Sequence, residues 1–120
     1  MSQHLKPLYI KAHIDGLPID RVLVDGGSAI NVVPQMMLRI LQKSEKELIP
    51  IELSVHGFTG VPSQTKGILL VELTVGSKTS LVAFFVMETS AAYNALLGRD
   101  WIHPNLCIPS TLHQLLVFWK

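Results

Sequence analysis

The chain is 120 residues long, 48% apolar, with a formal net charge of +1 and a mean hydropathy of +0.38. That length fits one small domain spanning residues 1–120, and the apolar content is enough to build a core, which excludes a disordered tail. Lysines and arginines are scattered rather than blocked, so neither a nucleic acid nor a membrane surface is expected as a partner.

The first half reads in period two. "LYIKAHIDGLPIDRVLVD" sets Ile10, Ala12 and Ile14 on one side, turns at Asp15-Gly16, and resumes with Ile19, Val22 and Val24. This predicts a hairpin that delivers Asp25 into "DGGSAINVV". Pro34 then suits the first turn of a helix, and "PQMMLRILQKSEKEL" spaces Met37, Leu38 and Leu41 for one apolar face, with Lys43, Glu45 and Lys46 outside. From "IELSV" a strand is expected to reach the Gly- and Pro-rich "HGFTGVPS" and to return through "QTKGILLVELTV" to a turn at "GSKTS". "LVAFFVME" is almost continuously apolar and dense in β-formers, the signature of a central strand. "TSAAYN" reads as a loop, "ALLGRDWIH" as an apolar strand end followed by a short helix, and "STLHQLLVFW" as a last strand.

Cys107 is alone, so it forms no internal disulfide, which fits a reducing compartment. Met1 to Pro7 holds no apolar run of signal-peptide type, and the chain holds no uninterrupted apolar stretch of the roughly 18–20 residues needed to span a bilayer. A soluble, intracellular, cytoplasmic protein is the expectation, and "VFWK" closing the chain inside a strand pattern is compatible with a piece of something longer.

Two stretches stand out together, "VLVDGGS" at 22–28 and "ALLGRDWI" at 95–102. Each is an apolar run ending in a glycine turn, with room for one long hairpin between them. The arrangement resembles the retropepsin family, the single-domain aspartic proteases of retroviruses and LTR retrotransposons. "YNALLGRDWIH" followed by "PSTLHQLL" is especially similar to the protease region of gypsy-type gag-pol polyproteins of plant elements. The resemblance runs from about residue 8 to 118 and rests on the order and spacing of the motifs.

The resemblance implies an all-β, closed retropepsin-type barrel with one or two short helices, working as one half of a homodimer. It implies Asp25 as the catalytic residue and Gly26, Gly27 and Ser28 as the active-site loop. His56, Gly57, Phe58, Thr59 and Gly60 correspond to the substrate-binding flap, and Leu97, Gly98, Arg99 and Asp100 to the element that supports the loop and the dimer. An extended peptide or polyprotein is the implied substrate, with no cofactor and no metal. The chemistry is consistent with this. Activating water against a peptide bond takes an acid and a base together, and two carboxylates about 3 Å apart share one proton and supply both. One chain supplies one such Asp, so two chains are needed.

Two positions depart from the family pattern. Gly26 stands where most active members carry Thr or Ser, whose hydroxyl bonds across the dimer, and Ala29 stands where retroviral members carry an acid that pairs with the later arginine. Arg99 is therefore expected to find another partner, Asp100 or the second chain. Two other readings stay open beside the retrotransposon protease: a dimerisation or binding module of the same fold with weakened catalysis, and a cellular retropepsin-like protease. Taken singly, Asp25-Gly26 is an ordinary hairpin turn and "HGFTG" an ordinary loop; each gains meaning from the other motifs. His103, Cys107 and His113 have no zinc-site spacing, "GVPSQTKG" and "GSKT" lack the order of a phosphate loop, and Trp101 and Trp119 fit core or interface positions.

Overall fold

The computed structural model describes residues 7–51 and 65–104. Strand β1 (Leu8–Ile14) turns through Asp15 and Gly16, both at positive φ (50° and 84°), into β2 (Leu17–Val24). Two successive left-handed residues make the type I′ hairpin turn that Asp-Gly favours. The tip is fastened from both sides: Glu72 donates its backbone N–H to the Asp15 carboxylate at 2.9 Å, and Lys43 pairs with the same carboxylate at 3.2 Å.

Within β2 the burial pattern steps from Ile19 to Val22, which strict alternation forbids. A bulge explains it. The register against β1 shifts between Ile10 and Ala12, and Arg21 takes a positive φ of 58°, so both Ile19 and Val22 face the core.

After the Asp25 loop the chain forms a three-residue strand, β3 (Val32–Pro34), buried throughout. Pro34 is therefore the end of a strand rather than the first turn of a helix. The expected long helix is a single turn, α1 (Met37–Ile40), followed by a 3-10 turn at Glu45–Glu47. The reason is local. Gln42 adopts φ 61° and the Lys43 N–H donates back to the Leu38 carbonyl at 2.8 Å, a left-handed stop that closes the helix. Ser44 then caps the 3-10 turn, exchanging bonds reciprocally with Glu47. The apolar face itself is as expected, with Met37, Leu38 and Leu41 buried.

Strands β4 (Thr65–Val75) and β5 (Lys78–Met87) form a long antiparallel hairpin. β4 alternates, burying Leu69, Val71 and Leu73. The apolar β5 is an interior strand between β4 and β3, turning Val82, Phe84 and Val86 to the main core and Phe85 to a second cluster. Burying each such side chain stabilises the fold by roughly 1.5–3 kcal/mol. Last come β6 (Ala95–Leu97) and α2 (Arg99–Ile102).

These strands close into a barrel in the order β1-β2-β6-β3-β5-β4, and β1 pairs with β4 to complete the ring. Two pairings are parallel, β2 with β6 and β3 with β5. The core inside includes Ile14, Val22, Val33, Phe84 and Leu97. Among the described residues no helix is long and apolar enough to cross a membrane. The flap expected at "HGFTG" and the last strand expected at "STLHQLLVFW" lie outside the described residues, as do Cys107, His113 and Trp119.

Candidate active site

Asp25 leaves the barrel where β2 ends. Val24 pairs with Leu97, and the next N–H, that of Asp25, donates to the Leu97 carbonyl at 3.0 Å. The parallel β2·β6 ladder therefore fixes where the carboxylate emerges, half-buried at the barrel rim. The following turn folds back on it: Gly27 donates its N–H to Asp25 Oδ1 at 2.9 Å, and Ser28 donates its N–H to the Asp25 carbonyl at 3.1 Å. A Cβ on Gly27 would stand 3.2 Å from Oδ1, so a side chain there would crowd the carboxylate. Among the described residues Oδ2 has no hydrogen-bond partner. One oxygen is oriented by an amide, and the other is available for chemistry.

Ser28 is spent on structure, its Oγ donating to the Ile30 carbonyl at 2.9 Å.

The second motif reaches back to the same loop. Gly98 crosses directly over the segment after Asp25: a Cβ at 98 would lie 2.3 Å from the Ile30 carbonyl oxygen and 2.5 Å from that of Ser28, so no side chain is accommodated. The contact is stitched on both sides, by Arg99 N–H to the Ser28 carbonyl (2.8 Å) and Asp100 N–H to the Ala29 carbonyl (3.2 Å). Leu97, Gly98, Arg99 and Asp100 are thus brought together with Asp25, Gly26, Gly27 and Ser28, from far apart in sequence. His56, Gly57, Phe58, Thr59 and Gly60 lie outside the described residues.

Within the chain, Arg99 does not pair with Asp100. Its Nη1 donates to the Gly26 carbonyl at 3.1 Å, while Asp100 Oδ2 accepts from Asn31 Nδ2 at 3.4 Å.

Asn31 is the residue that sequence reasoning missed. It is the one buried polar side chain among the described residues, at 1% exposure. Its Oδ1 accepts the Gly98 N–H at 2.9 Å and its Nδ2 donates to the Ala83 carbonyl at 3.2 Å, tying the glycine turn to β5. The signal was available: an amide inside the apolar run "AINVV" is costly unless bonded, and a bonded one has a task.

Beside Asp25 lies the second apolar cluster. Val32, Met87 and Leu96 form it, with Leu23, Ile30, Phe85 and Tyr93 packed against them. Leu23 and Asp25 are two apart in the extended chain, so they share a side. Their neighbours Val22 and Val24 belong to the barrel core on the other side. The loop carrying Tyr93 is pinned to the β2 bulge: Arg21 donates a side-chain N–H to the Ala92 carbonyl, Asn94 donates its N–H to the Arg21 carbonyl at 2.9 Å, and Asn94 Nδ2 donates to the Asp20 carbonyl at 2.9 Å. Burial pushes the Tyr93 phenol above its ordinary value of 10.0.

This barrel, with its two glycine motifs crossed at the rim, is matched by solved structures. The fold is retropepsin-like. The retroviral protease-like domain of Ddi1 from Leishmania major superposes with a TM-score of 0.64 at 13% identity, covering 91% of this chain and 82% of that one. A retropepsin-like aspartic protease from Rickettsia conorii gives 0.61 at 15% identity, covering 80% and 70%. The EIAV protease in complex with an inhibitor gives 0.54 at 17% identity, covering 81% and 86%. No protein-family model matches the sequence. The search of curated proteins likewise returns no match.

Proposed function

We propose that the chain, as a single domain, is one subunit of a homodimeric aspartic endopeptidase that cleaves the gag-pol polyprotein of a gypsy-type, plant-like LTR retrotransposon. The observation carrying this reading is the Asp25 carboxylate at the barrel rim, with Oδ1 held by the Gly27 amide, within a retropepsin-like fold. A two-fold axis through the Asp25 loops would bring the two carboxylates together. Like charges at about 3 Å do not both ionise cheaply, so the pair holds one proton between them. The protonated oxygen polarises the scissile carbonyl and the other carboxylate takes a proton from water, the proton being a property of the pair.

Substrate would lie extended across the dimer, its backbone paired as an added strand and its side chains alternating into pockets. The Leu23, Val32, Phe85 and Leu96 cluster beside Asp25 supports large apolar side chains next to the cleaved bond.

Gly26 favours a second reading, a dimerisation or binding module of the same fold that has lost most catalysis, because the loop lacks the hydroxyl that would cross the axis. One experiment separates the two. A peptide library is incubated with wild type and Asp25→Asn between pH 3 and 8. The protease reading expects cleavage with a bell-shaped pH dependence centred below neutrality, abolished in Asp25→Asn. Full activity in Asp25→Asn, or a rate still rising past pH 8, would remove the aspartic mechanism.

A further inference from the structure

The Asp25 loop is gripped by a single residue on both sides of Gly27. The backbone N–H of Arg99 donates to the Ser28 carbonyl at 2.8 Å, and its guanidinium Nη1 donates to the Gly26 carbonyl at 3.1 Å. Between those two carbonyls lies the Gly27 N–H that orients Asp25 Oδ1. We propose that Arg99 is the positioning residue of the Asp25 loop, an intrachain clamp that fixes the Gly26 peptide and, through it, the amide that aims the carboxylate.

Three features of the chain support this assignment. Gly26 has no side chain with which to anchor itself, and Ala29 offers the guanidinium no carboxylate, so the Arg99 side chain ends on a peptide oxygen. Asp100, the neighbouring acid, is turned away to Asn31. Finally, Arg99 is exposed and belongs to neither apolar cluster, so the barrel does not depend on its packing. A guanidinium suits the task, since its planar fork is stiff and permanently charged, and a charged donor binds a carbonyl more strongly than a neutral one does. Losing it would free the Gly26 peptide to rotate and leave the Gly27 amide poorly aimed, with the barrel intact.

The catalytic consequence rests on the protease reading, whereas the clamp does not, and the test keeps them apart. Amide hydrogen exchange is measured by NMR on wild type and Arg99→Met, which keeps a long side chain and removes the donor. The Gly27 and Ser28 amides, which donate to Asp25, should exchange about tenfold faster in the variant. The reference amides of Gln35 and Phe85, bonded to the Met87 and Asn31 carbonyls at 2.8 Å each, should hold within about twofold. Unchanged exchange at Gly27 and Ser28 overturns the proposal, and so does an equal rise at all four amides, which would make Arg99 a general structural residue. If Arg99→Met does not fold, Arg99→Gln, polar but too short to span the gap, takes its place: faster exchange confined to Gly27 and Ser28 supports the clamp, and either of the other two patterns overturns it. In peptide cleavage the clamp predicts a lower kcat at unchanged KM. Absence of cleavage by wild type strikes the protease reading and leaves the exchange result standing.

Discussion

Replacing Gly98 by alanine inserts one methyl group where the chain has no room for it. The added Cβ would lie 2.3 Å from the Ile30 oxygen and 2.5 Å from the Ser28 oxygen, and both are backbone atoms that no rotamer change can move. The two segments must part by about an ångström to reach ordinary van der Waals contact. Three hydrogen bonds span that gap: Gly98 N–H to Asn31 Oδ1, Arg99 N–H to the Ser28 carbonyl, and Asp100 N–H to the Ala29 carbonyl. At about 1 kcal/mol net for each, their loss costs about 3 kcal/mol, and a buried Asn31 left unsatisfied adds about 1–3 kcal/mol. Total stabilities of about 5–15 kcal/mol make this a large fraction. Urea denaturation followed by tryptophan fluorescence measures it. With a slope of about 1–3 kcal/mol per molar, the midpoint should fall by about 2 M. A loss below about 1 kcal/mol would refute the reasoning, because the strands would then have room that the geometry denies.

On the proposed homodimer reading, replacing Gly26 by threonine should tighten the dimer. Gly26 is not among the glycines at positive φ, which are Gly16, Gly67 and Gly76, so its φ does not itself demand a glycine. Two reciprocal hydroxyl bonds of about 0.5–1.5 kcal/mol each lower the dimer dissociation constant roughly tenfold, read by sedimentation of both proteins in one buffer; an unchanged or weaker dimer would withdraw the mapping of Gly26 onto the hydroxyl position. Tyr93 makes stability fall at high pH: its raised pKa means the folded chain keeps the phenol proton that the unfolded chain releases, so its stabilisation is complete below pH 10 and is lost as pH climbs beyond it. Tyr93→Phe should flatten that alkaline fall in denaturation midpoints between pH 9 and 11, and an unaltered slope would locate its cause elsewhere.

Much of this was legible in the sequence because it was local. The Asp15-Gly16 turn, the apolar face of Met37, Leu38 and Leu41, and the unbroken apolar run of β5 all announce themselves within a few residues. The uneven step from Ile19 to Val22 even contained the bulge. What escaped depended on distant partners. Val32–Pro34 is too short to show a period, and it is a strand only because Phe85 and Leu96 flank it. The helix expected from Pro34 to Leu48 had the right faces, but the left-handed Gln42 ended it after one turn. At the site, the structure sets "DGGS" against "LLGRD", and the bonds that Arg99 makes there, with those of Asn31 other than its bond to Asp100, run to backbone carbonyls and a backbone amide, whose positions no side-chain pattern encodes.

The central claim is that two copies of Asp25 act as one catalytic unit, and subunit mixing tests it most directly. Wild type and Asp25→Asn are combined in equal amounts at fixed total concentration, allowed to exchange, and assayed for peptide cleavage. Random pairing leaves about a quarter of the dimers with both carboxylates, so the account predicts about a quarter of the wild-type rate. A rate of one half, the value for subunits that act independently, would contradict it.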